Sequence, residues 1–134
     1  MSTPGGVPIL RLGDVLVTGV LNELDDKSAV AFADELTARI VSDSANGVLI
    51  DISRLEIIDS FVARMLMELT TMARLLGARV IVAGMRPAVA ITLVELGLRL
   101  TGVETALNAE QGLVALGWQR MPQRPGEAPH DSLR

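Results

Sequence analysis

The sequence predicts an α/β fold with a mixed, mostly parallel β-sheet, a leading β-hairpin and about four helices. From residue 47 onward, compact apolar runs alternate with segments of helical periodicity, which is typical of β-α repeats with right-handed crossovers. Two short apolar runs stand before them, separated by Gly13-Asp14, a turn signal of the hairpin type. Because a hairpin pairs its strands antiparallel, we expect the sheet to be mixed.

The first half of the chain supplies the hairpin, one helix and the central strand. Ile9–Leu12 and Val15–Val20 are the predicted hairpin strands, and Asp25-Asp26 can cap a helix over residues 26–42. Val48–Ile52 is apolar without polar alternation, which indicates a strand covered on both faces and therefore central. In the helix, apolar residues recur at spacings of three and four, at Ala29, Phe32, Ala33, Leu36 and Ile40.

The second half continues the alternation of helix and strand. Gly77 is suited to end one helix, Pro87 to begin the next, and Asn108 to cap a short last one. The strand before Asn108 is the weakest of the predicted elements. In chain order, the predicted helices and strands cover residues 60–76, 79–83, 87–96, 103–107 and 109–116.

The length of 134 residues fits one domain, predicted over residues 7–118. Residues 1–6 are small and polar, and we expect them to be loose. Residues 119–134 contain three prolines and few apolar side chains, so they are predicted to form a disordered tail.

Composition excludes several classes of function. The net charge of −4 and the scattered basic residues argue against a nucleic-acid-binding surface. The absence of cysteine fits a reducing cytoplasm, and no apolar run approaches the roughly 20 residues of a membrane-spanning helix. We therefore expect a soluble, cytoplasmic protein. Because 49% of the residues are hydrophobic but only 2% are aromatic, we also expect an aliphatic surface and self-association.

Catalytic motifs are scarce, so the sequence predicts a protein that is not an enzyme and needs no cofactor. His130 is the single histidine and lies in the predicted tail, and no glycine-rich phosphate loop is present. One alternative stays open. Asp51, Glu56 and Asp59 surround the end of the central strand, where paired carboxylates could bind a divalent ion or act as acid and base.

Ser60 is the first residue of the predicted second helix, which follows the central strand. It shares a polar stripe with Arg64, Glu68 and Thr71, at spacings of four, four and three. Its hydroxyl is therefore expected to face solvent. Spacing alone favours an N-cap serine, which accepts a hydrogen bond from a backbone N–H, over a phosphorylation site.

A phosphate on Ser60 would change the surface more than the fold. It adds about −1.5 to −2 charges at pH 7. Arg64 lies one turn further on and could pair with it, whereas Glu56 and Asp59 would join it in a strongly negative patch. The sequence therefore predicts that the modification acts on a partner interface.

These residues resemble the STAS domain family, and within it the small single-domain antagonist of the bacterial stressosome. The junction Ile57-Ile-Asp-Ser-Phe61 and the segment Arg86-Pro-Ala-Val-Ala-Ile-Thr-Leu93 carry most of the specificity. The matching segments cover residues 7–10, 22–28, 45–51, 57–61, 84–97 and 106–112.

The resemblance implies a non-enzymatic phosphoacceptor in a partner-switching system. A switch serine/threonine kinase would bind at Glu56, Asp59, Ser60 and Arg64 and be released when it phosphorylates Ser60, and a phosphatase would reset the site. Thr92 matches the region of an additional phosphorylation site in co-antagonists. The resemblance also implies that the chain forms a stressosome together with a co-antagonist that carries a C-terminal STAS domain. Alternatively, the chain is a free anti-sigma-factor antagonist in a small kinase complex. The output, a sigma factor or a second-messenger enzyme, stays open.

Overall fold

The computed structural model describes residues 7–20, 25–98 and 103–117. The predicted loose N-terminus and the predicted tail after residue 118 lie outside these ranges. The elements of the described residues are β1 Ile9–Leu12, β2 Val15–Gly19, α1 Asp26–Ser42, β3 Gly47–Asp51, α2 Ser60–Leu75, β4 Arg79–Ala83, α3 Pro87–Glu95, β5 Glu104–Ala106 and α4 Ala109–Ala115.

The strands of the described residues form one sheet in the order β1-β2-β3-β4-β5. β1 and β2 pair antiparallel, and the other neighbouring strands pair parallel. The predicted mixed sheet with a leading hairpin is therefore confirmed, and so is the central place of β3. The apolar residues Val48, Leu49 and Ile50 are fully buried, as expected for a strand covered on both faces.

Caps and turns fix the element boundaries where the sequence predicts them. Asp25 Oδ1 accepts a hydrogen bond from the backbone N–H of Ser28 at 2.7 Å, and this bond lowers the pKa of the Asp25 carboxyl. Asn108 caps α4 in the same way through the N–H of Gln111. Gly77 follows α2 with a φ of +94°, a left-handed conformation that favours glycine at a helix end.

The two faces of the sheet are covered unequally. α1, α2 and α3 bury their apolar sides against one face, where Leu36 from α1 joins Leu16 and Ile50 from the strands. On the other face, α4 covers a smaller core made of Leu49, Ile81 and Ala83. We call these the three-helix face and the α4 face.

A close backbone approach and a polar clamp hold α4 in place. A Cβ atom on Gly112 would overlap with the Leu49 side chain, so glycine lets the helix lie directly on β3. Arg79 donates from Nη2 to Glu104 Oε1 and from Nη1 to the Ala115 carbonyl, each at 2.6 Å. The clamp therefore joins β4, β5 and the end of α4.

Many large apolar side chains of the described residues are exposed. The aliphatic excess of the sequence thus reaches the surface, and the self-association that it predicts stays a prediction. Among the described residues, no helix is both long and apolar enough to cross a bilayer. The exposed side chains are Leu10, Val30, Val41, Ile57, Phe61, Met72, Leu75, Leu76, Ile91, Val94, Leu107 and Val114.

Candidate functional site

The segment between β3 and α2, residues 52–59, leads to Ser60 and contains Glu56 and Asp59, and we call it the junction loop. Ile52, Leu55 and Ile58 are buried, with 1%, 1% and 8% of their surface exposed. The residues between them face solvent. Three apolar anchors at regular spacing therefore hold the loop on the core while its polar side chains stay accessible.

Hydrogen bonds order the start of the junction loop. The Ile52 N–H bonds the Ala83 carbonyl at the end of β4, and the Leu55 N–H bonds back to the Ile52 carbonyl. Asp51 Oδ1 accepts the Ser53 N–H at 2.9 Å, a local turn typical of aspartate. The loop thus leaves the sheet in a defined direction.

Asp59, rather than Ser60, is the N-cap of α2. Its backbone is extended, and its Oδ1 accepts the Val62 N–H at 2.8 Å. The interpretation of Ser60 as the N-cap is therefore wrong. Aspartate and serine are about equally good caps, and the backbone becomes helical at Ser60, one residue too early for a serine cap.

Ser60 is the first helical residue, and it is exposed. Its hydroxyl makes no hydrogen bond to the part of the chain that the structure describes. Arg64, Glu68 and Thr71 are exposed as well, so the predicted stripe and its solvent-facing side are confirmed. The Ser60 oxygen is thus accessible from solvent.

The surface beside Ser60 carries exposed apolar side chains. Phe61 follows Ser60 on the helix and has 39% of its surface exposed, and Ile57 in the junction loop is 60% exposed. Met72 and Leu76, further along the chain, are exposed too. In the adjacent pair Ile57-Ile58, Ile58 is buried and Ile57 is exposed, so only one of the two apolar side chains reaches the core.

The carboxylates near the end of β3 do not form the predicted cluster. Within the described residues, no group of three or more histidine, aspartate or glutamate side chains could hold a metal ion. Asp51 and Asp59 each accept a backbone N–H, from Ser53 and Val62, and Glu56 is exposed. Among the described residues, Asp51, Glu56 and Asp59 therefore do not form a three-carboxylate metal site.

Thr92 lies on α3, whereas Ser60 lies on α2. Its hydroxyl donates to the Ala88 carbonyl one turn earlier, at 3.0 Å, and the residue is half-buried. Phosphorylation of Thr92 would first require this hydrogen bond to break. The Ser60 hydroxyl makes no such bond to the described residues.

Comparison with known sequences agrees with this architecture. A family model described as the STAS domain matches residues 7–109. The RsbT co-antagonist protein RsbRA of Bacillus subtilis is 30% identical over 107 residues, which make up 80% of this chain and 38% of RsbRA. RsbRD of the same organism is 26% identical over 113 residues, 84% of this chain and 41% of RsbRD. The chain spans about two fifths of the length of these relatives.

Two solved structures are similar over nearly their whole length. RsbS of Moorella thermoacetica, solved as a serine-to-glutamate variant, is 45% identical with a TM-score of 0.76, covering 83% of this chain and 94% of that one. A chain from the stressosome, described as a signal integration and transduction hub, is 46% identical with a TM-score of 0.73, covering 82% and 96%. With the family model spanning most of the described elements, the chain belongs to the STAS domain family and is similar to stressosome proteins of the RsbS and RsbR types.

Proposed function

We propose that this chain is a non-enzymatic stress-signalling scaffold that holds a switch serine/threonine kinase and releases it when Ser60 is phosphorylated. The observation that carries the proposal is the free, exposed Ser60 hydroxyl at the start of α2, in a chain 45% identical to an RsbS. That RsbS was solved with a serine replaced by glutamate, a change that imitates the charge of a phosphate.

The geometry of α2 explains why phosphorylation would leave the fold intact. Asp59 already caps the helix, and the Ser60 hydroxyl makes no hydrogen bond to the described residues that phosphorylation would break. The phosphate would lie at the positive end of the helix dipole, with Arg64 one turn away on the same exposed face. The free energy of unfolding should therefore change little.

The same geometry explains why phosphorylation would change binding. In the unmodified protein, Ile57 and Phe61 offer exposed apolar surface on either side of the Asp59-Ser60 pair. An interface over them would need the serine region to be desolvated. A dianionic phosphate next to Asp59 and Glu56 resists desolvation and repels an acidic partner, so the kinase would be released.

The protein partners that we propose for this chain are suggested by its relatives. RsbRA and RsbRD are described as co-antagonists of RsbT, and this chain matches about two fifths of each. We infer that the chain assembles with a co-antagonist carrying a C-terminal STAS domain, that it self-associates through its exposed aliphatic surface, and that a phosphatase restores the unmodified serine. Mixing the chain with such a co-antagonist should give large particles on size-exclusion chromatography. Elution solely as monomers and dimers would favour the free antagonist instead.

Phosphopeptide mapping after incubation with the switch kinase tests the central claim. Wild-type protein should carry phosphate on Ser60, and Ser60→Ala should bind the kinase but accept no phosphate. Thr71→Ala is the matched control, because Thr71 is an exposed hydroxyl on the same stripe. Thr92→Ala examines the second candidate site. Phosphate found solely at positions other than Ser60 would refute the proposal.

The phosphomimetic variant tests the switch itself. Ser60→Asp should weaken kinase binding by at least about tenfold. Charge repulsion and the cost of desolvating the new carboxylate together should exceed about 1.4 kcal/mol. Its melting temperature should stay near that of the wild type. Ser60→Asn, similar in size but uncharged, should bind more tightly than Ser60→Asp. Equal binding by both variants would contradict a charge-based release.

A further inference from the structure

The segment that follows β4, residues 84–86, lies directly against the junction loop. Gly84 has a φ of +75°, and a Cβ atom placed on it would lie 2.7 Å from the Ser53 Cβ and 3.2 Å from Asp51 Oδ1. A side chain at this position would therefore clash with the loop. Glycine is what allows the two stretches of backbone to touch.

Arg86 forms a bond across this contact. Its Nε donates to the Ser53 carbonyl at 2.8 Å, joining two positions that are 33 residues apart in sequence. Arg86 stands at the N-cap position of α3 but makes no capping bond with its side chain. The guanidinium thus forms a hydrogen bond with the junction loop and does not cap its own helix.

The base of this arginine is rigid. Pro87 occupies the first turn of α3, and a residue before proline is restricted to extended backbone. Arg86 has that conformation, with a φ of −76° and a ψ of 150°. Because the backbone beneath it is fixed, the bond from Arg86 also fixes Ser53 relative to α3.

The junction loop has few other bonds of this kind. The Ser53 N–H is held by Asp51 and the Leu55 N–H by Ile52. Within the described residues, the backbone N–H groups from Glu56 to Asp59 make no backbone hydrogen bonds. Among the described residues, the Arg86 bond is the one side-chain hydrogen bond that reaches the junction loop from a distant part of the chain, and it acts together with the buried anchors and the backbone bond between Ile52 and Ala83.

We propose that Arg86 is a positioning residue for the phosphoacceptor: through the Ser53 carbonyl it holds the junction loop in the conformation that the kinase recognises. This inference rests on the proposed function of Ser60. Without the bond the loop keeps its anchors but samples more conformations, and the kinase must order it on binding. The Michaelis constant of phosphate transfer should rise, whereas kcat should change little because the bound serine is held as before.

The experiment combines hydrogen exchange with kinetics on three full-length variants. Arg86→Ala removes the bond, and Arg86→Lys keeps a donor that can reach the carbonyl. Arg54→Ala is the control, because Arg54 is exposed in the same loop and makes no side-chain hydrogen bond to the described residues. For Arg86→Ala we expect exchange of the hydrogen-bonded amides of Ser53 and Leu55 to be about three- to tenfold faster, with a similar rise in KM. Arg86→Lys should stay within about threefold of the wild type.

The two measurements separate failure of this inference from failure of the proposed function. If wild-type protein accepts no phosphate on Ser60, the proposed function fails, and the exchange rates still report on the bond. Unchanged exchange at the Ser53 and Leu55 amides in Arg86→Ala would overturn the positioning role. The same would follow if Arg54→Ala raised KM as much without changing exchange, since the effect would then be one of charge on the kinase.

Discussion

The three-helix face and the α4 face of the sheet achieve burial in different ways. The three-helix face has a large core of aliphatic side chains, including Leu16, Leu36 and Ile50, all fully buried. On the α4 face, three buried strand residues lie beneath one helix of seven residues. The difference indicates that apolar area stabilises the first face, whereas close fit and a surface clamp secure the second.

The largest loss of stability should come from the three-helix face. Leu36→Ala leaves a cavity beneath α1, and we expect it to lower the free energy of unfolding by about 3 kcal/mol. Chemical denaturation measures this value. Val94→Ala removes similar apolar atoms from an exposed position on α3 and should cost less than about 0.5 kcal/mol. A loss below about 1 kcal/mol for Leu36→Ala would show that this face is less important than its burial suggests.

On the α4 face, crowding should matter more than lost area. The new methyl group of Gly112→Ala would overlap with Leu49, so we expect a loss of about 1 to 3 kcal/mol, although alanine favours helix. A second substitution, Leu49→Val, shortens the side chain with which the new methyl group would overlap. The double variant should therefore lose less than the sum of the single ones, as a double-mutant cycle would measure. Strict additivity would rule out the close approach as the cause.

α2 packs on the three-helix face, but its N-terminus is exposed. Substitutions there should therefore lower stability less than substitutions in the core. Asp59→Ala removes the N-cap and should cost about 1 kcal/mol in thermal or chemical unfolding. Asp59→Asn should remain near wild-type stability, because asparagine caps equally well while removing the charge. Glu56→Gln removes a charge from the same loop without touching a cap, and it should be neutral. Equal losses for Asp59→Ala and Asp59→Asn would point to charge instead.

The smallest effect should come from the clamp on the α4 face, and it should depend on pH. The hydrogen bond from Arg79 lowers the pKa of Glu104 below its ordinary value of 4.5. A carboxyl with a lowered pKa stabilises the fold above that ordinary value, and the contribution is lost as the pH falls through the folded pKa. Glu104→Gln should therefore be slightly less stable at pH 7 and equal to wild type at low pH. Melting curves across this range, with Glu68→Gln as control, check the convergence.

Sequence patterns predicted elements well where local chemistry decides them. Helix α1 begins at Asp26 and ends at Ser42, as predicted, because an aspartate cap precedes an amphipathic repeat. Strands β3 and β4 were recognisable from uninterrupted apolar runs. In each case the signal lies within a few residues of the feature that it predicts.

The candidate site was harder to predict because tertiary contacts decide it. Both Asp59 and Ser60 are good caps, and burial of Ile58 helps to fix where the backbone turns helical. The exposure of Phe61 depends on how α2 sits on the sheet, which its own periodicity does not reveal. The bond from Arg86 to Ser53 joins distant parts of the chain, so no local pattern could indicate it.

The strand order has a consequence for how the chain can assemble. Because spatial neighbours in the sheet are also neighbours in sequence, each strand can join the open edge left by the one before it. Among the described residues, no strand must insert between two that are already paired, and successive strands are separated by a single turn or a single helix. A chain leaving the ribosome could therefore build the sheet in the order in which it is synthesised.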